Sequence, residues 1–380
     1  MSIVVRPVAT RRERKQFLEL PWSIYRGDPN WIPPIRMNEK ELVGYKKHPF
    51  YLDAEGQTFL AFKDGQPCGR VLAILNHAHN RFQNEQRGFF GFFDSIDDQQ
   101  VANALFDAVR GWLAQRNIVE LRGPTNPSLN YECGLLVDGF NMPPTFMMTY
   151  NHAYYERLIE SYGFRKSQDL LSFWGHVEMI ATLDKKLAYI AREAQERFDV
   201  QIRPLNKSRF NAEIQLFLDI YNQSLGATWG FVPMSEPEIR HMSASLKHMI
   251  LPELALFAFV NDQPIGAVFA LPDYNPRIKE IDGRLFPFGF LKLLSKRRGF
   301  RRFRALSTNV VPEYQRWGVG LVLMRGLIPK ILASGIQDAE FSWVLESNHL
   351  SRRSLEKGGA VLEKTHRIYD YSPAAPGTAG

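Results

Sequence analysis

A single order of elements, strand–helix–hairpin–strand–helix–strand–helix–strand, runs twice along the 380 residues with little identity between the copies. In the first copy an alternating strand, IVVRPV (3–8), precedes a helical stretch from Thr10 to about Tyr25. TFLAFKDGQPCGRVLAIL (58–75) reads as a hairpin turning at Asp64-Gly65, residue types that tolerate the positive φ of a tight turn. The aromatic strand GFFGFFDSI (88–96) leads to a helix over about 98–116, with Val101, Leu105, Val109 and Leu113 spaced by four. A strand at 118–123, a long loop, a helix at 153–163 closed by Gly163 and a strand at 169–177 complete the copy. The second copy has strand 201–206, helices 208–225 and 235–250, and a hairpin at 254–272 turning at Asn261-Asp262. Strand 306–311, helix 319–334, strand 339–345, helix 351–359 and a final strand follow. The pattern predicts an α/β chain of two domains, 1–177 and 200–371. A charged helical linker, 178–199, joins them, and a Pro/Gly/Ala-rich tail, 372–380, is expected to lack structure.

Composition narrows the class. Apolar residues make up 45% and charged residues 23%, enough for two cores, which excludes wholesale disorder. Only Cys68 and Cys133 are present, which excludes a disulfide scaffold and a cysteine-only zinc site and points to a reducing cytoplasm. No apolar run reaches the ~20 residues of a membrane span, and the N-terminus lacks the apolar core of a signal peptide. The net charge of +7 is local: residues 292–304 hold seven basic residues and no acid, and the remainder balances. That distribution argues against a nucleic-acid partner. His77, His79 and His152 have no ligand partners at useful spacing, so no metal is expected.

The stretch VVPEYQRWGVGLVLMRGLI (310–328) carries the most chemistry. A β-branched strand ends at Val311, a loop runs through Gln315-Arg316-Trp317-Gly318-Val319-Gly320, and an apolar helix opens directly. Two glycines let the backbone approach a ligand, successive N–H groups at a helix start form an anion nest, and Arg316 adds a cation. The residues read as a pyrophosphate site. The dinucleotide fingerprint is not met, because its third glycine is missing. With its V-x-P-E-Y lead-in, the loop matches Q/R-x-x-G-x-G/A and resembles the GNAT acyl-CoA N-acyltransferase superfamily. The resemblance implies two tandem GNAT-like domains, each a mixed, mostly antiparallel sheet flanked by helices. It also implies that the second domain binds acetyl-CoA or another acyl-CoA through Val310, Val311, Gln315, Arg316, Trp317, Gly318, Val319 and Gly320. ESNHLSRRSLEKGGA (346–360) resembles the second family motif at Asn348, Ser351, Lys357 and Gly359. By family analogy the pantetheine lies between splayed strands, with Asn348 facing it. Leu355 stands where many members carry a general-acid Tyr, and Ala360 replaces an aromatic, so proton return to the thiolate falls to another group or to water. For Ser351 and Lys357, a helix first turn and a solvated face account for the residues equally well.

The first copy has no such loop. Asp94, Asp97 and Asp98 stand where a pyrophosphate needs donors, so this half is read as a degenerate domain that binds no coenzyme A. Its Phe89, Phe90, Phe92 and Phe93 are expected in the core. The long loop 126–151 offers Asn130, Tyr131, Glu132, Tyr150 and Asn151 for an acceptor pocket, and Trp229 and Phe231 are placed to wall it. Glu253 is near the second hairpin but follows Pro252, as a loop residue would, and the general base is not readable.

The expected activity is acyl-CoA-dependent N-acyl transfer by direct attack of an amine, with acetyl-CoA as default donor. Two other readings stand beside it: a lipid-amine N-acyltransferase at a membrane surface using long-chain acyl-CoA, and a non-catalytic acyl-CoA sensor. The basic segment 284–304 mixes Phe and Leu with cations and suits an anionic membrane surface, which would make a cytoplasmic protein peripheral. Acceptor identity, chain length and oligomeric state are not legible.

Overall fold

The computed structural model describes residues 2–182, 185–226, 228–295 and 299–373. The chain forms two compact units. In the first, strands β1 (Ile3–Pro7), β2 (Ala54–Lys63), β3 (Gln66–Asn76), β4 (Arg87–Ser95) and β5 (Glu120–Gly123) pair in that order. Only β4 and β5 are parallel. A short pair, β6 (Thr125–Asn126) and β7 (Glu132–Cys133), follows, then β8 (Leu135–Asp138). Helices α1 (Arg11–Ile24), α2 (Arg36–Leu42), α3 (His77–Gln83), α4 (Gln99–Ala114) and α5 (Tyr154–Tyr162) complete this part of the chain.

Caps and turns are where local chemistry places them. Thr10 and Glu13 form a reciprocal capping box on α1, and Asp98 accepts from Gln100 N at the start of α4. Asp64-Gly65 and Asn261-Asp262 all take positive φ, as tight hairpins require. The four phenylalanines of β4 are buried, and an irregularity at Phe92, which takes positive φ, sends Phe90 and Phe92 to different cores. Phe90 and Phe93 pack with Phe106, Tyr155 and Phe164, and Phe89 and Phe92 with Phe17 and Leu72.

A charged cluster is sealed inside this unit. Arg70 donates to Asp94 at 2.7 Å and to Glu39 at 2.8 Å. The hydroxyls of Tyr25 and Tyr155 donate to Asp94 Oδ1 at 2.9 and 3.2 Å. Burial first, then the Asp94 charge, pushes both tyrosines far above their ordinary range, which keeps them as donors.

The later elements are β9 (Arg165–His176), α6 (Lys185–Arg197), β10 (Gln201–Pro204), α7 (Phe210–Leu225) and α8 (Glu236–Leu246). Next come β11 (Ala255–Val260), β12 (Gln263–Pro272), α9 (Asn275–Glu280), α10 (Gly289–Leu294) and β13 (Arg302–Val310). The chain continues through α11 (Val319–Ser334), β14 (Asp338–Leu345), α12 (His349–Lys357) and β15 (Val361–Tyr371). The second unit's strands run β9-β14-β13-β12-β11-β10, with only β13 and β14 parallel.

The division differs from breaks at 177 and 200. The first unit holds the chain up to Asp169, together with Pro276–Phe290 and the residues from Thr365 onward. The second holds Leu170–Asn275 and Leu291–Lys364. Alternation shows that a segment is a strand but not which sheet receives it. In the first unit, β15 pairs Tyr369 with Gly123 and Thr365 with Asp138. Arg122 grips Asp370 with two bonds of 2.8 Å, and Arg367 reaches Asp169 and Glu156 at 2.8 and 3.0 Å. The expected linker is no free connector: Ile190 and Ala194 of α6 pack beside Gly318, and α6 lies along α11 within the second unit. Of the expected tail, residues 374–380 lie outside the described residues.

Candidate functional site

In the second unit β13 and β14 run parallel from the Arg302–Asp338 pair to the Ala305–Phe341 pair and then part. Each strand has an irregularity at that level. β13 carries one extra residue, Leu306, against β12, and β14 shifts register against β9 between Phe341 and Val344. An extra residue bends its strand and increases its twist, so the two edges open into a fork. Across residues 306–310, β13 pairs with β12 on one edge only, among the described residues.

Strand alternation assigns the faces of the opened segment. Phe269, opposite Ser307, packs on Phe217 of α7 at 5.4 Å, so Ser307 and Asn309 look toward α7. Gly266, opposite Val310, faces Val319 and Leu323 of α11, so Thr308 and Val310 look that way. The base of the fork is polar and locked. Arg304 Nε donates to Ser342 Oγ at 2.9 Å, and that hydroxyl donates to Glu340 Oε1 at 2.8 Å, all three residues being buried.

Beyond β13 a 3-10 turn, Pro312–Trp317, delivers the chain to α11. The Gln315 amide donates to Val310 O at 3.1 Å and ties the turn to the strand end. Trp317 stacks on Phe198 at 3.9 Å and meets Tyr314 edge-on at 4.6 Å, so its ring is packing rather than free surface. Gly318 takes φ +77° and is the N-cap of α11, which therefore starts without a side-chain cap. The first N–H groups of a helix have no intrahelical acceptor, and Arg316 just before this helix start is exposed, a combination suited to a phosphate oxygen. Val310, Val311 and Val319 are buried, so only their backbone can face a ligand. Asn348 accepts from Ser351 N at 3.1 Å as the N-cap of α12; both residues serve the helix start. Glu253 lies in the turn Pro252–Leu254, which packs on α11.

The expected acceptor residues divide between the units. Asn151 is buried and brackets Leu136, accepting from its N–H at 2.7 Å and donating to its carbonyl at 3.0 Å. Tyr150 donates to Asp28 at 2.8 Å, and burial followed by that bond pushes its hydroxyl well above the usual range. Tyr131 packs on His48 and Phe50, Glu132 sits in β7 opposite Asn126, and Asn130 N meets Ser128 Oγ at 3.3 Å. All five lie in the first unit. In the second, Phe231 packs on Tyr221 at 5.8 Å, Tyr221 on Phe217 at 5.9 Å, and Trp229 is half-buried nearby in sequence. Ile214, Phe217 and Tyr221 form a half-buried apolar line on α7 that residue-by-residue reading misses, as it misses Ser307 and Asn309. The available signal is the run of three uncharged polar residues, Ser307-Thr308-Asn309, between Leu306 and Val310 of the strand.

The same place in the first unit is filled. β4 and β5 are parallel through Phe89–Arg122, but the chain after β5 folds back between them. A Cβ on Gly91 would lie 1.6 Å from Thr125 O, and Asn126 Oδ1 accepts from Phe92 N at 2.7 Å. The three aspartates are engaged rather than bare. Asp94 is in the buried cluster, Asp97 pairs with Arg157, and Asp98 caps α4 while pairing with Lys63 at 2.6 Å. Among the described residues no group of three or more His, Cys, Asp or Glu is placed to hold a metal.

Two sets of strands in this order, one opened into a fork before a helix without a side-chain cap, define the class: the tandem GNAT fold. A tandem GNAT protein from the clavulanic acid biosynthesis pathway superposes with a TM-score of 0.58, covering 99% of this chain and 100% of its own at 9% identity. A GCN5-related N-acetyltransferase from Sphaerobacter thermophilus gives 0.53, covering 98% and 97% at 12% identity. No family model matches the chain. It belongs to the family of protein YghO of Escherichia coli (strain K12) and the bacterial ceramide synthase of Caulobacter vibrioides (strain NA1000 / CB15N). The first is 34% identical over 373 residues, 97% of this chain and 95% of the relative. The second is 33% identical over 380 residues, 97% of each.

Proposed function

We propose that this protein transfers a long-chain acyl group from acyl-CoA to the amine of a lipid of the sphingoid-base class. The full-length similarity to a bacterial ceramide synthase carries the reading, since a ceramide is the amide of such a base. It moves the donor from the acetyl default toward a longer chain. In this reading the pyrophosphate rests on the first N–H groups of α11 with Arg316 beside it, Gly318 supplies the left-handed turn into the helix, and Gly320 leaves the backbone open. The pantetheine lies along the open edge of β13, whose N–H groups polarise the thioester carbonyl. The neutral amine attacks that carbon, the C–S bond breaks, and the thiol leaves as the nitrogen gives up its proton. Ser307 and Asn309 supply polar contacts on the α7 face, and Ile214, Phe217 and Tyr221 supply an apolar wall for a chain.

The test crosses acetyl-CoA and palmitoyl-CoA with a sphingoid base, a polyamine and an aminoglycoside, and reads products by mass spectrometry. A long-chain amide of the sphingoid base is expected. Acetylation of the water-soluble amines alone would restore the acetyl reading, and tight acyl-CoA binding with no product in any well would make the protein a sensor.

A further inference from the structure

Outside the site, residues 286–294 present exposed aromatic and aliphatic side chains. Residues 276–290 leave β12 of the second unit and dock on the first. Asp282 accepts from Arg36 at 2.7 Å and from Trp22, over whose ring Arg36 lies at 3.9 Å. Gly283 abuts Pro34 O so closely that a Cβ would lie 2.0 Å away. This anchoring holds the next residues outward: Phe286 and Phe288 are 68% and 72% exposed, with Phe290 beside Phe286 at 5.9 Å. The short helix α10 continues the segment with exposed Leu291 and Leu294. Side chains of this size in water forgo their burial energy unless something covers them.

The charge around them selects what that is. No acid occurs from Gly283 to Pro312, and Arg284, Lys292, Lys296, Arg297, Arg298 and Arg301 flank the apolar residues. Arg302 and Arg304, counted with them on sequence, turn inward to Glu363 and Ser342 and are not part of the surface. Lys296, Arg297 and Arg298 lie outside the described residues. Arg284 also reaches Asp282 at 3.5 Å and Arg301 reaches Asp338 at 3.1 Å. Exposed aromatics in a stretch of sequence rich in cations and free of acids complement an anionic lipid surface, where rings enter the interface and cations meet the headgroups. No described helix is long and apolar enough to cross a membrane.

We propose that residues 284–294 dock the protein on an anionic lipid bilayer, with Phe286 and Phe288 entering the interface. The inference goes beyond acyl transfer and does not depend on it, because its test contains neither donor nor acceptor. Co-sedimentation is measured with phosphatidylglycerol-containing and pure phosphatidylcholine vesicles, at low and physiological salt. The wild-type chain should bind the anionic vesicles and weaken with salt. Phe286→Ser with Phe288→Ser should lower partitioning about tenfold or more, with melting temperature unchanged. Phe288→Trp should blue-shift in fluorescence when vesicles are added. Absence of wild-type binding to anionic vesicles at low salt, or equal binding by the double variant, would overturn the proposal. So would a wild-type dimer that the double variant abolishes without any vesicle binding, which would give the patch to a second copy.

Discussion

Gly318 and Gly320 stand two residues apart and meet different surroundings. At Gly318 the backbone is left-handed, and a Cβ would press on Ile190 Cγ2 at 3.2 Å and Ala194 Cβ at 3.4 Å. Gly320 has only Thr308 Cγ2 at 3.8 Å. Gly318→Ala should therefore cost about 1–2 kcal/mol of stability, read by denaturant unfolding. Gly320→Asp should keep the fold, because an acid in a helix's first turn is tolerated. It should weaken coenzyme A binding about tenfold or more by calorimetry, through like charge in the nest; unchanged affinity would remove this loop from the site. The glycines and Arg316 were legible because backbone freedom and charge are written in residue type. That Trp317 is stacked on Phe198, and that Asn348 caps α12, was not, because both depend on neighbours distant in the chain or on a single rotamer.

The longer strands and helices were legible to within a few residues from their periods, whereas the short helices α2, α3, α9 and α10, the strands β6–β8 and the fork were not. The fork comes from two register shifts, at Leu306 and beyond Phe341, and register is a property of a pair of strands. The first unit makes the same point in reverse. Its expected lack of coenzyme A was read from aspartates, whereas the structure shows Thr125–Asn126 packed against Gly91 and Phe92 of β4. Titration should therefore give one coenzyme A per chain. Asp98→Ala, which uncaps α4 at a cost of about 1 kcal/mol, should not create a second site; two equivalent sites in that variant would return the explanation to charge. On α7, Phe217→Ala with Tyr221→Ala should reduce transfer from palmitoyl-CoA much more than from acetyl-CoA while leaving coenzyme A affinity unchanged. Equal loss with both donors would take the apolar wall out of chain recognition.

At the scale of the molecule, the two halves share strands across the length of the chain. The closing residues 365–371 are held in the first unit by Asp370 and Asp169. Burial alone would raise these carboxyls, but hydrogen bonds and charge from Arg122 and Arg87 on one, and from Arg367 and Lys166 on the other, hold them below the usual carboxylate range. Each binds its proton less readily folded than unfolded. Their contribution is thus complete above about pH 4, the unfolded value, and drains away as pH falls through the folded values. Asp370→Asn should cost about 3 kcal/mol at neutral pH, since Arg122 loses a buried partner. The gap to the wild-type protein should narrow on acidification, as denaturant midpoints across a pH series would show; a constant gap would deny the pair its role. The same closing strand bears on synthesis. A ribosome usually releases an N-terminal domain ready to fold while later residues are still being joined. Here the first unit waits, its β5 edge open, until residues 365–371 have been translated. The nascent chain therefore carries an unfinished sheet through nearly its whole elongation.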